Sequence, residues 1–289
     1  MVADGLAVWR GWNGSSYRIY AYDLNAASPV VVDLSGASPG VDDFHTRGRV
    51  VVWVSGSSPS FTIHIYRFDD QTLTTIPVTA KDTDPYPKTD GRFVVWMAGP
   101  WPSFDIYAYD LQAAAPAPLP LTTGGWNAQP VVDDGIVAWY RDAGAGNYEI
   151  YFADAKQASP SALRVTNNAV ADEHPQLDGG VIVWSASDGS DSEIYGYDTR
   201  ASSPSIVALT NNTTSDGDWP SIPRISDGLV VWSGTVTGAS GQEVFYCDLR
   251  AAAPQPVRLT NNALHDVRPR VAHGLISWNA GGATYAARR

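Results

Sequence analysis

The chain has one cysteine, three lysines and no long apolar run, and each shortage excludes something. With Cys247 alone, neither an intrachain disulfide nor a thiolate metal site is available. Lys81, Lys88 and Lys156 leave arginine to carry most of the positive charge, and the net charge is -11. That balance argues against nucleic acid or an anionic membrane surface as the main partner, and also suits simple solubility. No stretch approaches the roughly 18 apolar residues of a spanning helix, so no membrane insertion is expected. The first residues, MVADGLAVW, lack a basic region followed by an apolar segment, so no signal peptide is read in this chain. Nothing sustains a helical period, and the alanine runs at 113–115 and 251–253 end at proline. A Gly-x-Ser-x-Gly elbow, a P-loop and a dinucleotide glycine fingerprint are all missing.

What is present is aromatic and periodic. Among 289 residues there are 11 Trp and 14 Tyr. Apolar runs end at Trp9, Trp53, Trp96, Trp139, Trp184, Trp232 and Trp278, spaced about 43 to 48 residues apart, the period of a four-stranded propeller blade. A second phrase follows each Trp: RIYAYD from Arg18, IHIYRFD from Ile63, DIYAYD from Asp105, EIYFAD from Glu149, EIYGYD from Glu193, EVFYCD from Glu243, and a degraded ATYAAR from Ala283. Nine residues before the Trp stands a proline in five copies: Pro87, Pro130, Pro175, Pro223 and Pro269.

Each copy predicts four short strands. The first opens at the proline, where a missing N–H costs the ladder least. Asp-Gly or a relative then makes a tight hairpin, as at Asp90-Gly91, Asp134-Gly135 and Asp227-Gly228. Runs such as Phe93-Val94-Val95-Trp96 form the second strand, and their unbroken apolarity implies burial on both faces. The Tyr-rich phrase is the third strand, and the segments before Thr-Asn-Asn, at 162–166, 206–210 and 257–260, are the fourth. The fold class is therefore all-β: one seven-bladed β-propeller over residues 1–289, with four-stranded antiparallel blades. The last copy stops after its third strand. Either an upstream segment completes that blade, or it closes with three strands.

The unit P-x-V-x-D-G-x-V-V-W, D-I-Y-x-Y-D-L, R-L-T-N-N resembles the TolB-type, or PD40-like (WD40-like), propeller repeat over essentially the whole chain. The resemblance implies the propeller fold and a periplasmic or extracellular site. It leaves function open, because such propellers include partner-binding proteins, non-catalytic halves of serine peptidases and some lyases. No separate α/β domain accompanies the repeats, so the transport role of TolB does not carry over.

Residues that recur from copy to copy read as scaffold. Asp23, Asp69, Asp110, Asp154, Asp198 and Asp248 close the third strands as turn or inter-blade groups. Tyr20, Tyr66, Tyr107, Tyr151 and Tyr195 pack the blades. Four tryptophans fall outside the register: Trp12, Trp101, Trp126 and Trp219. They lie in second-to-third and fourth-to-first connections, which share one face of an up-and-down blade. The same connections hold Asp42, Asp43, Asp82, Asp84, Asp172, Glu173, Asp216, Asp218 and Asp266, with His174 and His265. Aromatics beside carboxylates suit a carbohydrate or protein ligand; the structural alternative folds these rings back as lids over their loops.

No cofactor and no catalytic residue are expected. Asp188-Gly189-Ser190-Asp191-Ser192-Glu193 offers carboxylates to Ca2+ but lacks EF-hand spacing, and an acidic turn explains it equally. A different class of function is a metal-dependent lyase or other glycan-acting enzyme, with His45, His174 and His265 around a channel cation; no HxH or HExxH spacing supports it. The leading expectation is a monomeric, non-catalytic binding propeller with a protein or glycan ligand.

Overall fold

The computed structural model describes residues 1–36, 41–79, 84–217, 222–238 and 240–289. Its strands fall into seven antiparallel sheets. The first comprises β1 (Val2–Ala3), β2 (Leu6–Trp12), β3 (Tyr17–Asp23) and β4 (Val31–Asp33). The second comprises β5 (Asp42–Arg47), β6 (Val50–Ser57), β7 (Ser60–Arg67) and β8 (Thr72–Thr79). The third comprises β9 (Lys88–Thr89), β10 (Phe93–Ala98), β11 (Asp105–Asp110) and β12 (Leu119–Pro120). The fourth comprises β13 (Asn127–Asp133), β14 (Ile136–Asp142), β15 (Tyr148–Asp154) and β16 (Leu163–Arg164). The fifth comprises β17 (Asp172–Asp178), β18 (Val181–Ser187), β19 (Ser192–Asp198) and β20 (Ile206–Ala208). The sixth comprises β21 (Arg224–Ser226), β22 (Leu229–Thr235), β23 (Gln242–Asp248) and β24 (Val257–Arg258). The last comprises β25 (Val267–Ala272), β26 (Leu275–Ala280) and β27 (Ala283–Arg288). These are the blades of an all-β, seven-bladed propeller, six of four strands and a final sheet of three.

The chain divides into two compact units. Unit 1 is Met1–Val137 with Ala153–Ala162, and unit 2 is Ala138–Phe152 with Leu163–Arg289. Within each unit the core lies between adjacent blades. On β6, Val50, Val52 and Val54 pack with Val94 and Trp96 of the third blade, while Val51 and Trp53 pack with Leu6, Val8 and Ile19 of the first. On β22, Val230 and Trp232 join Val183 and Ile194, while Leu229 and Val231 join Ile276. The two-residue side-chain period of a strand thus sends alternate residues to opposite neighbours, which is why these runs carry no polar break.

Each blade tryptophan stacks on the ring opposite it in the third strand. The partners of Trp9, Trp96, Trp139, Trp184 and Trp278 are Tyr20, Tyr107, Tyr151, Tyr195 and Tyr285, at 5.7 to 6.2 Å between centroids. Trp232 takes Phe245 at 6.0 Å. The second blade departs from the expected alignment. His64, not Tyr66, lies opposite Trp53 and stacks on it at 5.0 Å, and Tyr66 turns its edge to Phe68.

The prolines correct a second expectation. In the fourth, fifth and seventh blades the first strand begins at Asn127, Asp172 and Val267 and runs through Pro130, Pro175 and Pro269. The residue ahead of each proline, Gln129, His174 or Arg268, has a positive φ of 50 to 54°. Register shifts bracket the last two of these residues, which are β-bulges. A bulge removes a residue from the ladder, so the proline has no cross-strand acceptor to disappoint.

Candidate functional site

The repeated Thr-Asn-Asn phrase builds a polar module inside the blades. The hydroxyls of Thr166, Thr210 and Thr260 accept the N–H of Ile150, Ile194 and Val244 at 2.8 to 2.9 Å. Thr122 and Ser35 do the same for Ile106 and Ile19 at 2.9 and 3.1 Å. Three buried carboxylates complete the module. Asp172 accepts the indole N–H of Trp184 at 2.6 Å, Asp216 that of Trp232 at 2.9 Å, and Asp266 that of Trp278 at 2.8 Å. The other oxygen of each takes an amide N–H from Asn168, Asn212 or Asn262 at 2.6 to 2.8 Å.

This revises the reading of two candidate ligand-binding residues. Asp172 and Asp266 are 2% and 1% exposed, and their oxygens are held by the blade's own Trp and Asn. A carboxylate so desolvated must find its donors inside the fold, and these have. Burial raises the Asp172 carboxyl above its ordinary range and pushes Asp216 up to about 6.

The irregular tryptophans behave differently. Trp12 and Trp101 are 60% and 59% exposed, whereas Trp53, Trp96, Trp139, Trp184 and Trp232 are buried. Trp101 rests on Phe104 at 6.1 Å, and Phe104 bridges in parallel to half-buried Trp126. The loops are tied together: Gly125 O accepts the Phe104 N–H at 2.9 Å, and the Asn127 side chain donates to Phe104 O at 2.8 Å. In this blade the second-to-third connection and the connection leaving the fourth strand do share a face. Trp12 meets the edge of Tyr17 at 5.2 Å, and Arg10 lies over the Tyr17 ring at 4.6 Å. Trp219 and Asp218 lie outside the described residues, as does Asp82.

Unit 1 also gathers acids. Asp42 pairs with Arg10 at 2.5 Å and Asp43 with Lys88 at 3.1 Å. Burial, with the charges of Asp42 and Asp43, raises the Asp84 carboxyl above the usual carboxylate range. Together these groups supply an acidic region with its own basic partners. Each histidine has its own surroundings. His45 accepts the Thr89 N–H at Nδ1 (3.3 Å), and burial pushes it down to about 3. His174 turns against the Tyr140 ring at 5.5 Å, and burial lowers it too. His265 is exposed, with Nδ1 3.5 Å from the Gln242 N–H. Among the described residues, the one group of three or more side chains positioned to ligate a metal contains no histidine; it is Asp188, Asp191 and Glu193.

Two features had no signature in the sequence. The hairpin aspartates link blades: Asp4 accepts the Gly48 N–H at 2.6 Å, Asp90 that of Gly135 at 2.9 Å, and Asp178 that of Asp227 at 2.7 Å. Where the hairpins of the second and third blades meet, a Cβ on Gly48 would stand 2.6 Å from the Gly91 Cα, so both positions require glycine. In unit 2 a groove of about 850 Å3 is lined by residues including Tyr197, Val207, Leu209, Leu249, Pro254 and Pro256. Its walls come from short fourth strands and proline turns far apart in sequence.

No family model matches this chain, and no curated protein matches it. Solved structures do. The β-propeller domain of the Trilobed protease from Pyrococcus furiosus, described as having an open velcro topology, is 10% identical, with a TM-score of 0.64 over 99% of this chain and 95% of that one. The acylaminoacyl peptidase of Pyrococcus horikoshii is 8% identical, with a TM-score of 0.61 over 99% of this chain. The chain spans 51% of that peptidase, about half its length. TolB from Acinetobacter baumannii is 18% identical over 90% of this chain and 65% of that one, at a TM-score of 0.49. At such identities the likeness is one of fold: a seven-bladed β-propeller similar to the propeller domains of peptidases.

Proposed function

We propose that this chain is a non-catalytic binding propeller of the TolB-type, PD40-like kind, working in the periplasm or outside the cell. Its ligand is a carbohydrate or a protein, received on the aromatic surface of unit 1. The observation that carries this reading is the exposure of Trp12 and Trp101 in a protein that buries most of its blade tryptophans. An indole left in water forgoes burial worth about 2 kcal/mol or more, and a flat apolar face beside acids offers stacking with hydroxyl or basic-group recognition. Phe104 lies against the Trp101 ring at 6.1 Å and is itself buried, so the exposed ring has a fixed footing.

A glycan array, together with affinity capture from the source organism, tests the reading with wild-type protein and with W12A and W101A. Specific capture that the substitutions abolish supports it. Equal capture by all three proteins, or none, overturns it. Elemental analysis of the purified protein addresses the enzyme alternative, because a stoichiometric transition metal would favour the lyase.

A further inference from the structure

The buried glutamate that opens the third-strand phrase occurs in three successive blades, as Glu149, Glu193 and Glu243, each 0–1% exposed. All three accept the second Asn N–H of the Thr-Asn-Asn turn, at 3.1, 2.6 and 3.0 Å. In two blades the charge is neutralised by arginine from the fourth strand: Arg164 to Glu149 and Arg258 to Glu243, both at 2.8 Å. Those arginines stand opposite Tyr151 and Phe245. The register of the fifth blade puts Ala208 at the matching place, opposite Tyr195. Glu193 therefore has no arginine, and among the described residues no basic side chain is ion-paired with it. Its Oε2 is buried without a hydrogen-bond partner, as is that of Glu149, but Glu149 has Arg164 on its other oxygen.

In place of a cation the fifth blade adds two acids. Asp188 and Asp191, in the turn between β18 and β19, bring carboxylate oxygens to within 4.8 Å of one another and of Glu193. At the place of Asp191, two residues before the glutamate, the fourth blade has Asn147, whose amide donates to Glu149, and the sixth has Gly241. A buried carboxylate without an arginine, with two more carboxylates close by, is a place where a bound cation would be stabilised. The donors are all hard oxygens, which excludes a soft-metal site. Flexible all-oxygen coordination with room for water is what Ca2+ accepts, whereas Mg2+ demands near-octahedral geometry and gives up its water reluctantly. Exposure graded from Asp188 through half-buried Asp191 to buried Glu193 leaves one side open for water to complete the shell.

We propose that Asp188, Asp191 and Glu193 form a Ca2+ site in which the ion replaces the arginine found in the neighbouring blades.

The test is thermal unfolding and titration calorimetry of chelator-stripped protein with CaCl2 or MgCl2. Ca2+ is expected to bind at one site and to raise Tm by about 5 °C at a hundredfold excess over Kd, with Mg2+ weaker. D188N and D191N should each weaken Ca2+ binding about tenfold or more. A208R restores the arginine of the other blades; it should fold, gain stability without metal and lose the Ca2+ response. Absence of saturable binding in the wild type, or an undiminished Ca2+ response in A208R and both Asp variants, would overturn the proposal.

Discussion

The indole N–H of Trp184 donates to Asp172 at 2.6 Å inside the fifth blade, while the same group of Trp53 in the second blade is buried with no partner. One repeat position therefore carries two energetic situations. Trp184→Phe strands a buried carboxylate oxygen, whereas Trp53→Phe removes a donor that was already unpaired. The first is expected to cost about 1–3 kcal/mol more than the second. Urea unfolding of the two variants checks it, and equal losses would mean that the hydrogen bond contributes nothing net.

Two buried groups tie stability to pH in opposite directions. Burial pushes Asp216 up to about 6, so in the fold it keeps its proton where the unfolded chain has lost it. Its contribution is fully present below about pH 4 and is lost as pH rises through 6. His45, pushed down to about 3 by burial and by the charges of Lys88 and Arg47, is neutral in the fold. Its contribution is present above about pH 6.5 and is lost as pH falls towards 3. Asp216→Asn should flatten the fall in stability between pH 4 and 6, and His45→Gln should flatten the rise between pH 3 and 6.5. Unfolding midpoints measured across this range would show whether each slope changes as stated.

Arg49 joins two blades. Its guanidinium meets both oxygens of Asp23 at 3.2 and 2.8 Å, and its Nε meets Asp69 at 2.8 Å. Asp23 holds the arginine more strongly protonated, and Arg49 in turn lowers the Asp23 carboxyl. Because the fork is planar, lysine cannot reproduce it. Arg49→Ala is expected to cost about 1 kcal/mol at low salt, with Arg49→Lys recovering less than half of it. Thermal unfolding in low and high salt reads both numbers.

Trp12 and Trp101 should separate binding from stability. Each is more exposed than buried, so W12A and W101A are expected to alter stability by no more than about 0.5 kcal/mol. A large loss in either variant would mean that the ring serves as a cover for its loop, and W101A would then expose Phe104.

Much of this fold is readable from contiguous residues. Seven tryptophans at a near-constant spacing, Asp-Gly hairpins and unbroken apolar runs specify seven repeated antiparallel units, because strand periodicity and turn chemistry act over a few residues. The same local information misplaced the strand starts at Pro130, Pro175 and Pro269, since a bulge is a property of two paired strands. Side-chain roles were decided only by tertiary structure. Asp172, Asp216 and Asp266 read as loop acids beside a ligand, yet their partners are tryptophans 12 to 16 residues away. The hairpin aspartates find theirs 44 to 49 residues away, in the next blade. Whether a tryptophan is covered, or a glutamate meets an arginine or an alanine, depends on which distant segment the fold sets against it. Burial and pairing belong to two residues at once, and sequence order records only one at a time.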